Sequence, residues 1–409
     1  MNKEKITDIT LPLGKAVSIK KGSINPSAFP FEEFDYYSIP SYDISAGSER
    51  TFGNEIHSNK TLLESNCVLI SKLNPRIPRV CLARINDDKR AICTTEFIPL
   101  VLNDDKTDLK YLSYYLLSSA FQQRFQGVAA GSTNSHSRVT PGDILDWDFY
   151  RPPLQEQKRI AEILSQAKDL MYKLERKRYK VKNLLEATRD NIFQRYFKSE
   201  DLYRVSVGDL LKTKDLLLIQ DGNHGGKHPK ASQFISNGIP FVMASNIKDG
   251  CFVPDKKKCL SFSTIEGLRI GHSLPGDVLL THKATIGEIC IVPKTYKQVM
   301  LSPQVTMYRL SEHSFLTAEL LKQFFLTSTF QNEIREMSGQ STRDYIGVKA
   351  QKNLHILLPK SNSIASKITE PLWSLSQLHL SITNQINLYK NLLSAVSQDL
   401  LIGRKRVKI

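Results

Sequence analysis

The chain has 409 residues, a prior for two or three domains, and its 41% hydrophobic and 24% charged residues exclude a disordered or fibrous protein. Lys and Arg number 56 against 41 Asp and Glu, a formal net charge of +15, and a field of that sign draws polyanions, nucleic acid foremost. No apolar stretch reaches the ~18–20 residues of a membrane span, and the opening MNKEKITDITLPLG lacks the apolar run of a secretory signal, so a cytoplasmic location is expected. Residues 1–152 then carry short apolar runs broken by Gly, Pro, Asn and Asp, as at Cys67-Val68-Leu69-Ile70, which read as strands of an α+β domain. Tyr111 to Phe125 reads as its one helix. Pro152-Pro153 ends this region, where prolines precede a helix start.

Residues 153–197 follow as a long helix. Ile160, Leu164, Ala167, Met171, Leu174, Val181, Leu185, Thr188 and Ile192 step by four and three, with Arg178 the one charged interruption. That period is the seam of a coiled coil. Residues 198–358 return to strand signals, at Asp277-Val278-Leu279-Leu280 and at Ile289, Ile291 and Val292, with one helix from Thr317 to Glu333. Residues 359–409 give a second seam: Ile368, Leu372, Leu375, Ile382, Ile386, Leu393, Val396 and Leu400, with His379 and Tyr389 at two further seam positions.

The chain is a duplication. Lys182-Asn183-Leu184-Leu185 recurs as Lys390-Asn391-Leu392-Leu393, an offset of 208, which Ile160 and Ile368, Leu164 and Leu372, and Ala187 and Ala395 also keep. Ser118-Ser119-Ala120-Phe121-Gln122 matches Thr327-Ser328-Thr329-Phe330-Gln331 one residue further apart. So long a period means a domain plus an appendage in each copy, not a solenoid. Each seam helix of ~36 residues is ~54 Å long at 1.5 Å per residue and cannot bury its stripe alone. Two separate core helices would answer this, but the other copy is the economical partner. With a globular domain between the two, antiparallel packing is natural. The expected fold is therefore α+β: two globular recognition domains joined by two long helices in an antiparallel coiled coil, with an internal pseudo-twofold duplication.

Three stretches carry a family resemblance. Pro152-Pro153-Leu154-Gln155-Glu156-Gln157-Lys158-Arg159-Ile160-Ala161 resembles the proline-led opening of the long helices in type I restriction–modification specificity subunits. Gly276-Asp277-Val278-Leu279-Leu280 followed by Thr285-Ile286-Gly287 resembles an element of their target-recognition domains, and Asn74-Pro75-Arg76-Ile77-Pro78-Arg79-Val80 with Ala91 to Phe97 resembles the matching stretch. The second helix departs from the pattern, since Pro359-Lys360-Ser361-Asn362-Ser363-Ile364-Ala365 lacks the Glu-Gln pair. The resemblance implies a sequence-specific subunit whose recognition domains each read one half of a bipartite asymmetric DNA target. It implies helices that set the spacing and dock two modification (methyltransferase) subunits. Those subunits would carry S-adenosylmethionine, and separate ATP-using restriction/translocase subunits would translocate and cut.

The residues themselves offer no enzyme. Asn74-Pro75-Arg76 lacks the second proline and aromatic of an adenine methyltransferase loop. The E-x-K forms at Glu156 and Glu175 lie on the helix with no acid cluster for a metal nuclease, and no phosphate-binding G-x-x-x-x-G-K-[ST] occurs. Cys67, Cys81, Cys93, Cys251, Cys259 and Cys290 contain no C-x-x-C pair or zinc spacing and read as buried small hydrophobes, so no catalytic residue, metal or cofactor of the chain's own is expected. A non-enzymatic DNA-binding regulator with a coiled-coil scaffold remains the alternative.

DNA contacts need Lys and Arg for phosphates and polar side chains for base edges. The first copy offers Ser132, Thr133, Asn134, His136 and Arg138, and the second offers Gln340, Ser341, Thr342, Arg343 and Tyr345 at the equivalent place. His224, Lys227, His228 and Lys230 add a Gly-Gly loop, poor as a metal cage, and Thr281, His282 and Lys283 a further segment. Lys20, Lys21, Arg76 and Arg79 are phosphate-contact candidates.

Overall fold

The apolar runs read as strands are buried on both faces, which explains why they lack polar alternation. In this computed structural model, which describes residues 9–85, 88–129, 137–224, 228–339 and 345–407, the chain forms two units. Residues 1–175 and 384–409 make the first and residues 176–383 the second.

The first unit holds a four-stranded antiparallel sheet in the order Val17–Ile19, Phe97–Leu102, Cys67–Ser71, Val80–Ala83. Val68 and Ile70 point into one core with Leu112, Leu116 and Phe149, while Cys67 and Leu69 point into another with Tyr37 and Phe97. A second sheet pairs Glu33–Tyr37 in parallel with Ala91–Cys93, flanked by Glu49–Phe52 and Thr61–Leu63.

The second unit repeats this plan. Its four-stranded antiparallel sheet runs Leu216–Asp221, Val305–Leu310, Val278–Thr281, Ile289–Ile291. Val278 and Leu280 enter one core and Leu279 the other, as their counterparts do. A parallel pair, Ile239–Val242 with Val299–Leu301, again centres the second sheet. The duplication read in the sequence is thus a duplication of topology.

The two long helices are Leu154–Lys198, of 45 residues, and Asn362–Leu401, of 40. Within the first unit, Ile160 and Leu164 share a core with Leu400 and Leu401, and Glu175 pairs with Lys390 at 2.9 Å. Within the second, Leu185 and Phe193 share a core with Ile368 and Leu372. In each unit, therefore, the helix segments run antiparallel. The seam follows its period: Ile160, Leu164, Val181, Leu185, Ile368, Leu372, Ile382, Ile386 and Leu400 are buried. Met171, Leu174, Ile192, Leu375, Leu393 and Val396 are half-buried. Tyr389 is the exception, exposed at its outer edge.

One expectation is corrected. The single helix expected in each domain is two: Leu109–Leu117 and Ser119–Gly127 in the first unit, Ala318–Phe325 and Ser328–Ser338 in the second. Ser118 and Thr327 take extended backbone angles, and each hydroxyl accepts the amide of the residue three on, Phe121 or Phe330. That capping stops one helix and starts the next. Just beyond, Gln122 donates to the Leu116 carbonyl at 2.6 Å and Gln331 to that of Phe325 at 2.8 Å, closing the corner identically in both copies.

The cysteines are free among the described residues and all but Cys251 are buried. Burial pushes the Cys67, Cys81, Cys93 and Cys290 thiols up to about 12. No helix of the described residues is long and apolar enough to cross a membrane.

Candidate nucleic-acid interface

In an antiparallel sheet, alternate strands begin and end at the same edge. The C-terminal ends of Val17–Ile19 and Cys67–Ser71 therefore meet the N-terminal ends of Phe97–Leu102 and Val80–Ala83. The described DNA-contact candidates of the first unit gather there. Lys20 donates its amide to the Pro99 carbonyl at 3.0 Å and pairs through its side chain with Glu64 at 2.5 Å. Lys21 and Arg76 are exposed. Arg138 bridges Leu73 through the backbone and forms an ion pair with Glu96 at 2.9 Å, which the sequence reading missed. Asn74, at φ 48°, turns the chain so that its amide meets the Ser137 carbonyl.

Arg79 is a correction. It is buried, and its guanidinium donates to both carboxylate oxygens of Asp43 at 2.7 and 2.9 Å, holding that carboxyl below its usual range. Its fork is engaged inside the domain, where it fastens the helix Ile39–Ser45 to the sheet.

The same edge of the second unit gathers the other candidates. The strand register sets Gln220-Asp221-Gly222 where the first unit has Lys20-Lys21-Gly22. Gly222 has no room for a side chain, since a Cβ would lie 1.9 Å from the Leu301 carbonyl. Beyond it Asn223 donates to the Ile270 carbonyl at 2.5 Å, and the His224 ring meets the Asp221 carboxylate at 2.7 Å. Lys283 bridges Tyr345 through the backbone, matching the Leu73–Arg138 bridge, and its ammonium sits 5.8 Å from the Tyr345 ring. His228 and Lys230 stand on the loop beyond, the His228 ring 5.6 Å from that of Phe241.

Thr281 and His282 are also corrected. Both are fully buried. The Thr281 hydroxyl accepts the Glu288 amide, and His282 Nδ1 lies 2.6 Å from the Thr306 hydroxyl, which also accepts from Gln351 at 3.0 Å. Gln351 in turn accepts from Tyr308 at 2.6 Å. Burial lowers the His282 pKa to about 4, so the ring is a neutral framework group beneath Lys283 and Tyr345. Ser132, Thr133, Asn134, His136, Lys227, Gln340, Ser341, Thr342 and Arg343 lie outside the described residues.

The Glu-Gln pair opening the first helix faces inward. Gln157 accepts the Asp108 amide at 2.9 Å and donates to the Lys106 and Pro152 carbonyls at 2.9 and 2.7 Å. Glu156 is held by Arg406 through contacts of 2.7 to 2.9 Å and accepts the Val407 amide. The motif thus anchors the helix and the chain's C-terminal segment to the first domain. Its loss in the second copy leaves the outer helix surface untouched. Further along the first helix Arg189, buried and with its pKa lowered by burial, donates to Gln323 at 2.9 Å and to the Leu326 carbonyl at 3.2 Å.

Residues 13–183 match the family of the type I restriction modification DNA specificity domain. Several solved structures share the fold over nearly the whole chain, among them two from type I restriction–modification systems. One is the crystal structure of a type-I restriction-modification system S subunit from M. genitalium, 13% identical with a TM-score of 0.56, over 96% of this chain and 95% of that one. The other comes from work on the "structural basis underlying complex assembly and conformational transition of the type I R-M system". It is 17% identical with a TM-score of 0.54, over 96% of this chain and 97% of that one. No curated protein matches the sequence.

Proposed function

We propose, from a chain whose residues 13–183 carry a type I restriction–modification DNA specificity domain, that the whole molecule is the DNA-recognition subunit of such a complex and performs no chemistry itself. One observation carries the reading. The two units hold the same sheet edge on the same topology, yet fill it with different side chains: Lys20, Lys21, Leu73 and Arg138 in one, Gln220, Asp221, Lys283 and Tyr345 in the other. A shared frame with unlike side chains suits two different half-sites on one double-stranded DNA, phosphates met by the lysines and base edges by the polar groups.

The long helices set the gap between the half-sites and dock two modification subunits. Those partners bind S-adenosylmethionine and methylate adenine, and restriction/translocase subunits using ATP join them in the cytoplasm. The test is to sequence methylated adenines in the host genome with and without this gene. The reading expects a bipartite, asymmetric motif that vanishes with the gene. Loss of no methylation, or loss of a single contiguous motif, would contradict it.

A further inference from the structure

The two units carry different charge at two matching places, and the difference is reciprocal. At the end of one outer strand the first unit has Lys20 and Lys21, and the second has Gln220 and Asp221. The other place lies on the second sheet. There Cys259–Leu260 pairs antiparallel with Ile239–Val242, Cys259 opposite Pro240, as Arg50 lies opposite Asp35 in the first unit. The parallel partners of the two central strands make Pro240 and Asp35 equivalent. The register therefore sets Lys256-Lys257-Lys258 where the first unit has Gly47-Ser48-Glu49. Positive charge absent from the second unit's strand end thus reappears at this turn, while Glu49 in the first unit accepts from Ser38 at 2.8 Å.

Backbone bonds hold the turn. Lys257 donates its amide to the Asp255 carboxylate at 2.9 Å and Lys258 to the Asp255 carbonyl at 3.0 Å. The Lys258 carbonyl in turn accepts the Phe241 amide at 3.0 Å. The side chains are left to solvent: Lys256 and Lys257 are exposed and Lys258 is half-buried. Among the described residues none forms an ion pair with the three ammonium groups. Like charges side by side repel, so the fold gains nothing from them.

Their location decides what they meet. Ile239–Val242 and Val299–Leu301 both run towards the edge where the other candidates gather. Leu301 leads through Ser302 into Val305–Leu310, and its carbonyl closes over Gly222. Lys258 sits beside Phe241, on which the His228 ring packs at 5.6 Å. From Leu301 to Lys258 is two strand spacings, about 10 Å. A DNA major groove is ~12 Å wide, so a duplex whose groove faces the sheet edge brings one bounding row of phosphates over the turn.

We infer that Lys256, Lys257 and Lys258 clamp the phosphate backbone of double-stranded DNA beside the second half-site, so that the two units grip the duplex from different sheets. The first holds it with the lysines of its strand end, the second with this turn. The inference rests on the proposed function, which brings DNA to the edge.

The salt dependence of the full chain's binding to a mixed-sequence duplex tests this. Each lysine–phosphate contact adds about 0.9 to the slope of log affinity against log salt. Glutamine at all three positions should lower that slope by roughly 2–3, with melting temperature unchanged. Between about 50 and 200 mM salt the unaltered chain should then lose ~40-fold more affinity than the variant. Arginine at the same positions should keep the slope. Lys294→Gln with Lys297→Gln, exposed lysines at the opposite end of both sheets, should also leave it unchanged. On a duplex carrying the mapped target, ethylation of phosphates flanking the second half-site should cease to block the glutamine variant, while ethylation at the first still blocks it. An unaltered slope in the glutamine variant would overturn the clamp. So would an equal fall on changing Lys294 and Lys297, which would make the charge act only as a general field. An unaltered chain with no affinity for DNA would instead overturn the functional reading beneath it.

Discussion

The two long helices begin alike and are fastened differently. At the start of the first, the buried Glu156 and Gln157 satisfy backbone groups and hold Arg406. At the start of the second, Ile364 and Ala365 pack into an apolar core. A buried polar anchor depends on every partner being present, because each one removed leaves a desolvated group behind, whereas an apolar anchor loses only area. The first anchor therefore specifies one attachment and is brittle; the second is forgiving.

The largest expected effect follows from that. Gln157→Ala strands the Asp108 amide and two carbonyls, and should lower stability by about 3 kcal/mol. Ile364→Ala, half-buried, should cost about 1 kcal/mol. Denaturant titration of both variants checks the contrast, and equal losses would break it.

A second contrast concerns pH. His282 is buried with its pKa lowered to about 4, whereas the register gives the first unit Lys72 at that place. An unfolded histidine titrates near ~6.5, so between these values the unfolded chain binds the extra proton. Stability is then full above ~6.5 and falls as pH drops towards 4, by about 2–3 kcal/mol. His282→Gln should flatten that part of the stability–pH curve. An unchanged slope would place the acid sensitivity elsewhere.

The smallest effect is on DNA affinity. Lys20 and Lys21 lie where the second unit has Gln220 and Asp221. Changing both lysines to alanine should weaken binding evenly across sequences and reduce the salt slope by about 2. Gln220→Ala should leave the slope alone. Binding isotherms at several salt concentrations distinguish the two.

Much of this was legible in the sequence, for physical reasons. The seam repeats over many turns, and a period sustained that long has few explanations, so its residues were found. The strands showed as apolar runs because both faces of each sheet are covered. Three misreadings share a cause: local chemistry was read without its tertiary partner. Thr281-His282-Lys283 looks like an exposed polar segment, but the Glu288 amide and the Thr306 hydroxyl accommodate Thr281 and His282 inside. Arg79 looks like a phosphate ligand until Asp43 is beside it. The helix break at Ser118 was visible as a capping hydroxyl within an otherwise continuous apolar pattern, and its repetition at Thr327 was the overlooked signal.

The central claim is that one frame reads two unlike half-sites independently. It is tested most directly by mapping methylated adenines in cells whose only copy of the chain carries Lys283→Ala and Tyr345→Ala, both at the second unit's sheet edge. The account expects relaxed sequence preference in one half of the bipartite motif and an intact second half with unchanged spacing. Relaxation of both halves together, in a chain that still assembles, would contradict it.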